Sequence, residues 1–295
     1  MTERWSRTTV VTARSPLRRS VSRRGVLIAG LAGLTGAAEL AWVARPGGAE
    51  GRAAEGRPAP AAVAAPTVPA TTRTAARRPA PHPRPAWKEP IYGLGDVLRH
   101  DPRISLPHRA IMLTIDDGPH PEWTPKYLRL LAHYDVPATF CMIGRQVPAN
   151  RRIVRAVAAH GHAIANHTWT HDEALETRPI ADIRTEIGRT SAAIHAVTGR
   201  APTLFRAPGG VWGPRLLAEL GRQRLAPLGW DVDPRDWSLP GTAAIESTML
   251  TARRHDIILC HDGGGDRSQT YAALKRVVPT LLDRGYRFVT LPALY

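Results

Sequence analysis

Short apolar runs alternate along the chain with longer segments in which apolar residues recur at helical spacing. The clearest helical segment extends from Pro179 to Val197, and Gly199 follows it as a stop signal. The apolar runs have the length of buried strands and lie at about 110–115, 137–143, 161–165, 203–207, 225–231, 256–261 and 286–290. This alternation predicts an α/β fold with about seven parallel strands.

Polar residues follow several of the predicted strands. Right-handed crossover connections place the carboxyl ends of parallel strands on one side of a sheet. A sheet with polar residues at those ends is best closed into a barrel, so we predict a (β/α) barrel. An open doubly wound sheet is the alternative that the pattern also permits.

The composition changes near residue 90, so the folded part is shorter than the 295-residue chain. Residues 1–90 contain 15 Lys and Arg against 5 Asp and Glu and account for most of the formal net charge of +15. Downstream, charges of both signs are intermixed, without the basic face of a nucleic-acid-binding domain. We therefore expect no nucleic-acid partner. Residues 91–295 are expected to form one folded domain that acts as a monomer.

The first 44 residues resemble an export signal. Arg23 and Arg24 precede an apolar stretch rich in small residues, as in a twin-arginine signal peptide. The stretch continues to about Ala44, so residues 1–44 are interpreted as a signal peptide or a membrane anchor, with a disordered basic extension as the alternative. Residues 45–90, rich in Pro, Ala and Arg, are predicted to form a semi-extended linker. This organisation predicts an extracytoplasmic protein of the cell wall or membrane surface.

Cys141 and Cys260 are the only cysteines, and each lies inside an apolar, strand-like run. A disulfide would need their Cα atoms within about 7 Å of each other, which nothing in the sequence indicates. We expect two buried free thiols.

The first predicted strand stops at two adjacent carboxylates, Asp116 and Asp117, followed by a Gly-Pro turn signal. Burying carboxylates is costly, so we expect both to have a chemical role. Neighbouring side chains diverge on an extended strand. One carboxylate is therefore expected to bind a metal and the other to act as an acid or base.

His167 and His171 follow the predicted strand that ends near Ala165. A spacing of four brings two imidazoles to one side of a helical turn, from which they can bind a divalent metal. With a carboxylate from a neighbouring strand they form a three-ligand site with open positions, the arrangement typical of a catalytic metal. Asn166 is expected to brace this turn.

Three more polar segments follow later strands. Arg206 precedes a proline and two glycines, so it can neutralise a carboxylate base while glycine N–H groups approach an oxyanion. Residues 231–237 form an acidic cluster, and His261 ends the run 256–261. A histidine at a strand end with an acidic partner fits a general acid held as imidazolium. Taken singly, a surface arginine and a structural histidine are the alternatives.

In this order, these segments resemble the five motifs of the polysaccharide deacetylase family, the carbohydrate esterases with a NodB homology domain. The resemblance covers roughly residues 108–291 and implies the family's deformed (β/α) barrel. It also implies one divalent metal ion, usually zinc, with Asp117, His167 and His171 as its ligands.

The resemblance implies a role for each remaining residue. Asp116 corresponds to the general base and Arg206 to the residue that orients it. His261 corresponds to the general acid, with Asp236 tuning it, and Trp237 would wall the acetyl pocket.

Two positions depart from the family pattern. The first motif commonly has Phe where this chain has Ile115, which is a mild apolar exchange. The third motif commonly has an aromatic residue where this chain has Gly209. A backbone N–H near Gly209 would still join the oxyanion site, but the ring that would line the groove is missing. The change bears on substrate choice more than on chemistry.

The implied function is hydrolysis of N-acetyl groups on an amino-sugar glycan of the cell envelope, such as peptidoglycan or a chitin-like polymer. The same groups could cleave an O-acetyl ester. A glycan-binding protein that keeps the metal as a structural element is a further alternative, which only Gly209 favours. A metalloprotease is disfavoured because the chain lacks a His-Glu-x-x-His helix.

Overall fold

The computed structural model describes residues 87–291. The predicted signal peptide or anchor at 1–44, and the predicted linker up to residue 86, lie outside this range. Within 87–291, no helix is both long enough and apolar enough to cross a lipid bilayer.

Helices and strands alternate through the described range. The helices are α1 (Leu94–His100), α2 (Trp123–His133), α3 (Arg151–Ala159), α4 (Ile180–Thr198), α5 (Pro214–Gln223), α6 (Thr242–Met249) and α7 (Ser268–Asp283). The strands are β1 (Ala110–Gly118), β2 (Thr139–Met142), β3 (Ala163–Asn166), β4 (Leu204–Phe205), β5 (Ala226–Pro227), β6 (Ile257–His261) and β7 (Arg287–Phe288).

The strands form one parallel sheet in the order β5-β4-β3-β2-β1-β6, and β7 pairs with the start of β1. Beyond β5 the chain crosses to β6, where the N–H groups of Asp231 and Val232 donate to the carbonyl of Ile257 at 3.0 and 3.1 Å. The N–H of Leu259 donates back to the carbonyl of Val232 at 2.9 Å. These bonds close the sheet, which confirms the predicted deformed barrel and excludes the open sheet.

Alternate residues of the strands face opposite sides of the barrel wall, as the two-residue period requires. On β1, Ile111, Leu113 and Ile115 pack under the outer helices. The inward series packs into a separate interior cluster to which six strands contribute, with two residues from β1 and one from each of the others: Ala110, Met112, Cys141, Ala165, Leu204, Ala226 and Ile257. Thr114 and Asp116 continue the inward series of β1, so the register of this strand aims Asp116 at the carboxyl-terminal mouth.

The two cysteines lie on opposite sides of the barrel wall. Cys141 belongs to the interior cluster and Cys260 to the cluster under the helices. Both are buried free thiols, and their opposite orientations keep them apart.

Two strands are much shorter than the pattern predicts. The predicted strand 203–207 is reduced to Leu204–Phe205, and the predicted strand 225–231 to Ala226–Pro227. Pro208 and Pro227 have no N–H to donate to a ladder, which accounts for the early ends. The predicted helix 179–197 is confirmed as α4, followed by Gly199 in the left-handed conformation at φ 72°.

The folded domain extends upstream of the predicted boundary at residue 91. Trp87 is buried with 8% of its surface exposed, and its ring stacks on His100 at a centroid distance of 3.8 Å. Trp87 also belongs to the interior cluster with Ile91 and Leu94. Trp87, which falls within the predicted linker, is therefore part of the core.

Trp87→Ala is expected to lower the free energy of unfolding by about 3 kcal/mol, because it empties a packed position at the closed end of the barrel. The matched control is Trp237→Ala, since that ring is 50% exposed and should contribute about 0.5 kcal/mol or less. Chemical denaturation monitored by circular dichroism measures both. Equal effects would contradict the placement of Trp87 in the core.

Candidate active site

A pocket of about 560 Å³ opens at the carboxyl ends of the strands. Its size lies within the range of about 300–1,000 Å³ that is typical of ligand sites. Seven of the nine residues singled out in the sequence line it: Asp116, Asp117, His167, His171, Gly209, Trp237 and His261. The other two, Arg206 and Asp236, are fully buried directly behind the pocket wall and contact lining residues.

Arg206 lies inside the barrel with none of its surface exposed. Its Nη1 donates to Oδ1 of Asp116 at 2.9 Å and to Oγ1 of Thr114 at 2.6 Å. Its other nitrogens donate to the carbonyls of Leu228 and Gly229 at 3.2 and 2.7 Å. The guanidinium therefore fixes one oxygen of Asp116 and leaves Oδ2 facing the pocket.

Asp117 turns into the same pocket because its backbone is left-handed, with φ 73°. The register between β1 and β2 shifts at this point, so Asp117 is a bulge rather than a regular strand residue. Both carboxylates therefore face the pocket, whereas an extended strand would have separated them. Divergence of the two side chains therefore does not separate a metal ligand from an acid or base. The contacts that each carboxylate makes would decide which of the two roles it takes.

His167 and His171 converge on Asp117, but not from a helical turn. Residues 167–171 form a loop in which Thr168 and His171 have φ values of 61° and 65°, so the predicted helical turn is wrong. The Nε2 atoms of His167 and His171 lie 3.4 and 3.3 Å from Oδ1 of Asp117. The local sequence gave no signal for these left-handed residues.

Hydrogen bonds hold this loop in place. Asn166 donates to the carbonyl of Ile187 at 2.8 Å and accepts from the N–H of Thr168 at 2.9 Å, which confirms the bracing role predicted for it. Glu186 accepts the N–H groups of the next two residues, 169 and 170, at 2.8 Å each. Nδ1 of His167 bonds to the carbonyl of Arg206 at 2.9 Å, so its Nε2 is directed at Asp117.

The residues present fit a divalent metal. Asp117, His167 and His171 offer ligand atoms within 4.8 Å of one another. Two ligands of a tetrahedral ion, each about 2.1 Å from it, are roughly 3.4 Å apart, close to the separations seen here. Oδ1 of Asp117 is buried and accepts no hydrogen bond from any residue in 87–291, which is the state of an oxygen suited to a cation.

His261 lies on β6 beside Asp116 of β1 and is held by Asp236. Nδ1 of His261 lies 2.6 Å from Oδ1 of Asp236, and Oδ2 of Asp236 accepts the backbone N–H of His261 at 3.0 Å. Burial alone would lower the pKa of His261. The hydrogen bond to Asp236 and the charges of Asp236, Asp116 and Asp117 outweigh burial and raise that pKa.

The pocket also contains residues that the sequence did not single out. Glu173, Trp230 and Arg267 line it, together with Asp233. Arg267 is almost fully buried and donates from Nε to the carbonyl of Gly263 at 2.6 Å. Glu173 follows His171 by two positions, and that closeness to a candidate ligand was the one available signal for it.

Comparison with known proteins agrees with this geometry. A family model described as polysaccharide deacetylase matches residues 103–226. The chain is 38% identical over 209 residues to a chitooligosaccharide deacetylase of Sinorhizobium fredii, covering 67% of this chain and 97% of the relative. The chain belongs to the polysaccharide deacetylase family.

Two further relatives of this deacetylase are named as peptidoglycan deacetylases. A peptidoglycan-N-acetylglucosamine deacetylase of Bacillus cereus is 41% identical over 197 residues, covering 63% of this chain and 88% of the relative. The crystal structure of the Bc1960 peptidoglycan N-acetylglucosamine deacetylase superposes with a TM-score of 0.61 at 32% identity, covering 64% of this chain and 90% of that one. The chain is therefore a hydrolase of the deacetylase class.

The family match ends at residue 226, before Asp236 and His261. The assignment of Asp236 and His261 to the site of this deacetylase therefore rests on the contact between them. Asp236 is anchored further by the hydroxyl of Thr270, which donates to its Oδ2 at 2.9 Å.

A further buried carboxyl lies next to the deacetylase site. Asp262 is fully buried, accepts a hydrogen bond from the hydroxyl of Thr124 and has no partner for Oδ1 among residues 87–291. Burial raises its pKa to about 7, and the charges of Asp117 and Asp116 act in the same direction. The folded deacetylase therefore binds a proton at Asp262 more tightly than the unfolded chain does, where an aspartate has a pKa near 3.9.

Asp262→Asn is expected to raise the free energy of unfolding at pH 8 by on the order of 2 kcal/mol and to give little gain at pH 4. The stability linked to this carboxyl is complete below pH 4 and is lost as the pH rises to about 7. Asp266→Asn, on an exposed aspartate with a lowered pKa, is the control and should give no gain at pH 8. Thermal unfolding in chelator at both pH values measures the effect, and an equal gain at both would contradict it.

Proposed function

We propose that this protein is a metal-dependent deacetylase that hydrolyses N-acetyl groups of an amino-sugar glycan in the cell envelope. The observation that supports the proposal is that one pocket brings together three side chains able to bind a metal with two titratable groups, Asp116 and His261. Each of these two groups is fixed by a partner of opposite charge, Arg206 or Asp236. The names of the relatives support an N-acetylated amino-sugar substrate.

Asp117, His167 and His171 would hold the ion, and a zinc ion suits their mixed nitrogen and oxygen donors. Such an ion supplies Lewis acidity toward the acetyl oxygen and lowers the pKa of a bound water. The chain's own groups then move the protons. Oδ1 of Asp116 is bonded to Arg206, so its free Oδ2 accepts the proton of the attacking water.

His261 would act on the leaving group. Nδ1 of His261 is bonded to Asp236, so Nε2 is the atom that donates a proton to the departing amine. Negative charge develops on the acetyl oxygen during attack, and a backbone N–H can stabilise it. The N–H of Gly210 is engaged by the carbonyl of Ala207 at 3.0 Å. The N–H of Gly209 makes no such bond within 87–291, so we assign the oxyanion donor to Gly209. Trp237 would wall the acetyl group.

Peptidoglycan and chitin-like oligomers are the substrates that this proposal ranks first. The export signal and linker expected in residues 1–90 support an extracytoplasmic site of action at the cell wall or membrane surface. Cleavage of O-acetyl esters needs the same groups, so both bond types belong in the assay.

Asp116→Asn is expected to lower kcat about 10²–10⁴-fold, because the amide cannot accept the proton of water. Acetate release from N-acetylated peptidoglycan and chitooligosaccharides, with added zinc and with chelator, measures this, and O-acetylated glycans form a parallel series. Metal content is the control readout: Asp116→Asn should retain stoichiometric metal, whereas His171→Ala should lose it. Metal-dependent binding of glycan without any acetate release by the wild type would replace the proposal with a glycan-binding function.

Asp236→Asn is expected to move the alkaline limb of the kcat/KM profile to lower pH. His261 must be protonated to act as the acid, and its pKa is raised chiefly by Asp236, so loss of that charge deprotonates it earlier. Thr270→Val keeps the carboxylate of Asp236 and removes only the hydrogen bond from the Thr270 hydroxyl. The alkaline limb of this variant should therefore stay in place. An unmoved limb in Asp236→Asn would contradict the role of His261 as general acid.

A further inference from the structure

The carboxylate of Glu173 is free on the wall of the catalytic pocket. Glu173 is exposed and lines the pocket together with His171 and Gly209. It makes no hydrogen bond or ion pair with any residue in 87–291. A carboxylate in this state contributes little to folding and is available to a ligand.

The other two acids of the same loop differ in this respect. Asp172 is paired with Arg178 at 2.6 Å and accepts the N–H of Ala174 at 3.0 Å. Glu176 accepts the N–H of Leu216 at 2.8 Å at the start of α5. Both have structural partners, so the lack of a partner at Glu173 is not a general feature of the loop.

Gly209 provides the space that Glu173 occupies. Its backbone is left-handed, with φ 60°, and a Cβ built on it would lie 3.4 Å from the carboxyl carbon of Glu173. An aromatic side chain at this position would be strained and would compete with Glu173 for the same wall of the groove. Glu173 and Gly209 therefore make this wall of the pocket negatively charged and open. An aromatic side chain at position 209 would make it apolar and cover it.

We propose that Glu173, exposed beside Gly209, forms a subsite for a free amino group on the sugar next to the one being deacetylated. This inference rests on the proposed function. A carboxylate forms a charge-assisted hydrogen bond with an ammonium group and repels a carboxylate. Deacetylation itself leaves an amine on the polymer, so a partly processed chain presents this group beside the next acetylated sugar.

The subsite has a consequence for substrate choice. A partly deacetylated oligomer should be a better substrate than a fully acetylated one, and a sugar with an acidic substituent at this position should be a worse one. Because Glu173 is exposed, the preference should be modest, about threefold to tenfold in KM, and should shrink as salt is added.

The test compares a fully N-acetylated chitotetraose with a tetramer that carries one free amine, at a pH where the amine is protonated. Glu173→Gln should raise KM for the amine-bearing tetramer about threefold to tenfold, with kcat and the fully acetylated substrate little changed. Glu173→Lys should disfavour the amine further. Glu246→Gln, which removes the same charge from α6 outside the pocket, is the matched control.

A structural role for Glu173 would change both substrates alike and lower the melting temperature, so both are measured. An unchanged ratio of KM values between the two tetramers in Glu173→Gln at low salt would overturn the subsite. Titration calorimetry with a glucosamine tetramer tests it without turnover, and binding should weaken in Glu173→Gln. If the wild type released no acetate, the proposed function would fall, whereas the calorimetric comparison would still decide the subsite.

Discussion

The buried guanidinium of Arg206 is the interaction on which the rest of the site depends. A cation inside a barrel is tolerated only when every donor finds an acceptor. Here the acceptors come from Thr114 and Asp116 on β1 and from carbonyls of residues 228–229, on the segment that continues toward β6. The carbonyl of Arg206 in turn orients His167. Arg206 thus connects Asp116, the segment that closes the barrel and His167.

The candidate metal ligands converge only because the backbone departs from regular structure. Asp117 and His171 are left-handed, as is Thr168 between the two histidines. Such conformations cost free energy in residues other than glycine, and they persist where surrounding contacts fix them. Asn166 and Glu186 supply those contacts by accepting the N–H groups of the loop. The strain is local, and the hydrogen bonds that offset it come from the end of β3 and from α4.

Features of the fold that depend on the spacing of apolar residues were predictable from the sequence. Tertiary packing preserves the helical and strand periods that produce this spacing. The helix α4 and the alternation of strands and helices follow from it, as does the inward direction of Asp116. Features that depend on tertiary contacts were not predictable. The burial of Trp87 needs its stack with His100, and the loop 167–171 needs a helix that follows it in the chain. Glu173 differs from its neighbours only by the lack of a partner, which no sequence pattern encodes.

Four aspartates at this site share one side-chain chemistry and differ in what contacts them. Asp116 has one oxygen held by a guanidinium and one open to the pocket, which suits a base. Asp117 faces two imidazoles with a buried oxygen free of hydrogen bonds, which suits a metal ligand. Asp236 is saturated by the imidazole, the backbone and a hydroxyl, so it can only tune a neighbour. Asp262 is buried, which raises its pKa, and within residues 87–291 only a hydroxyl donates to its side chain, so it keeps its proton to a higher pH. Residue type and spacing select the chemistry available at this barrel mouth, and the partner of each carboxylate decides which part of that chemistry it performs.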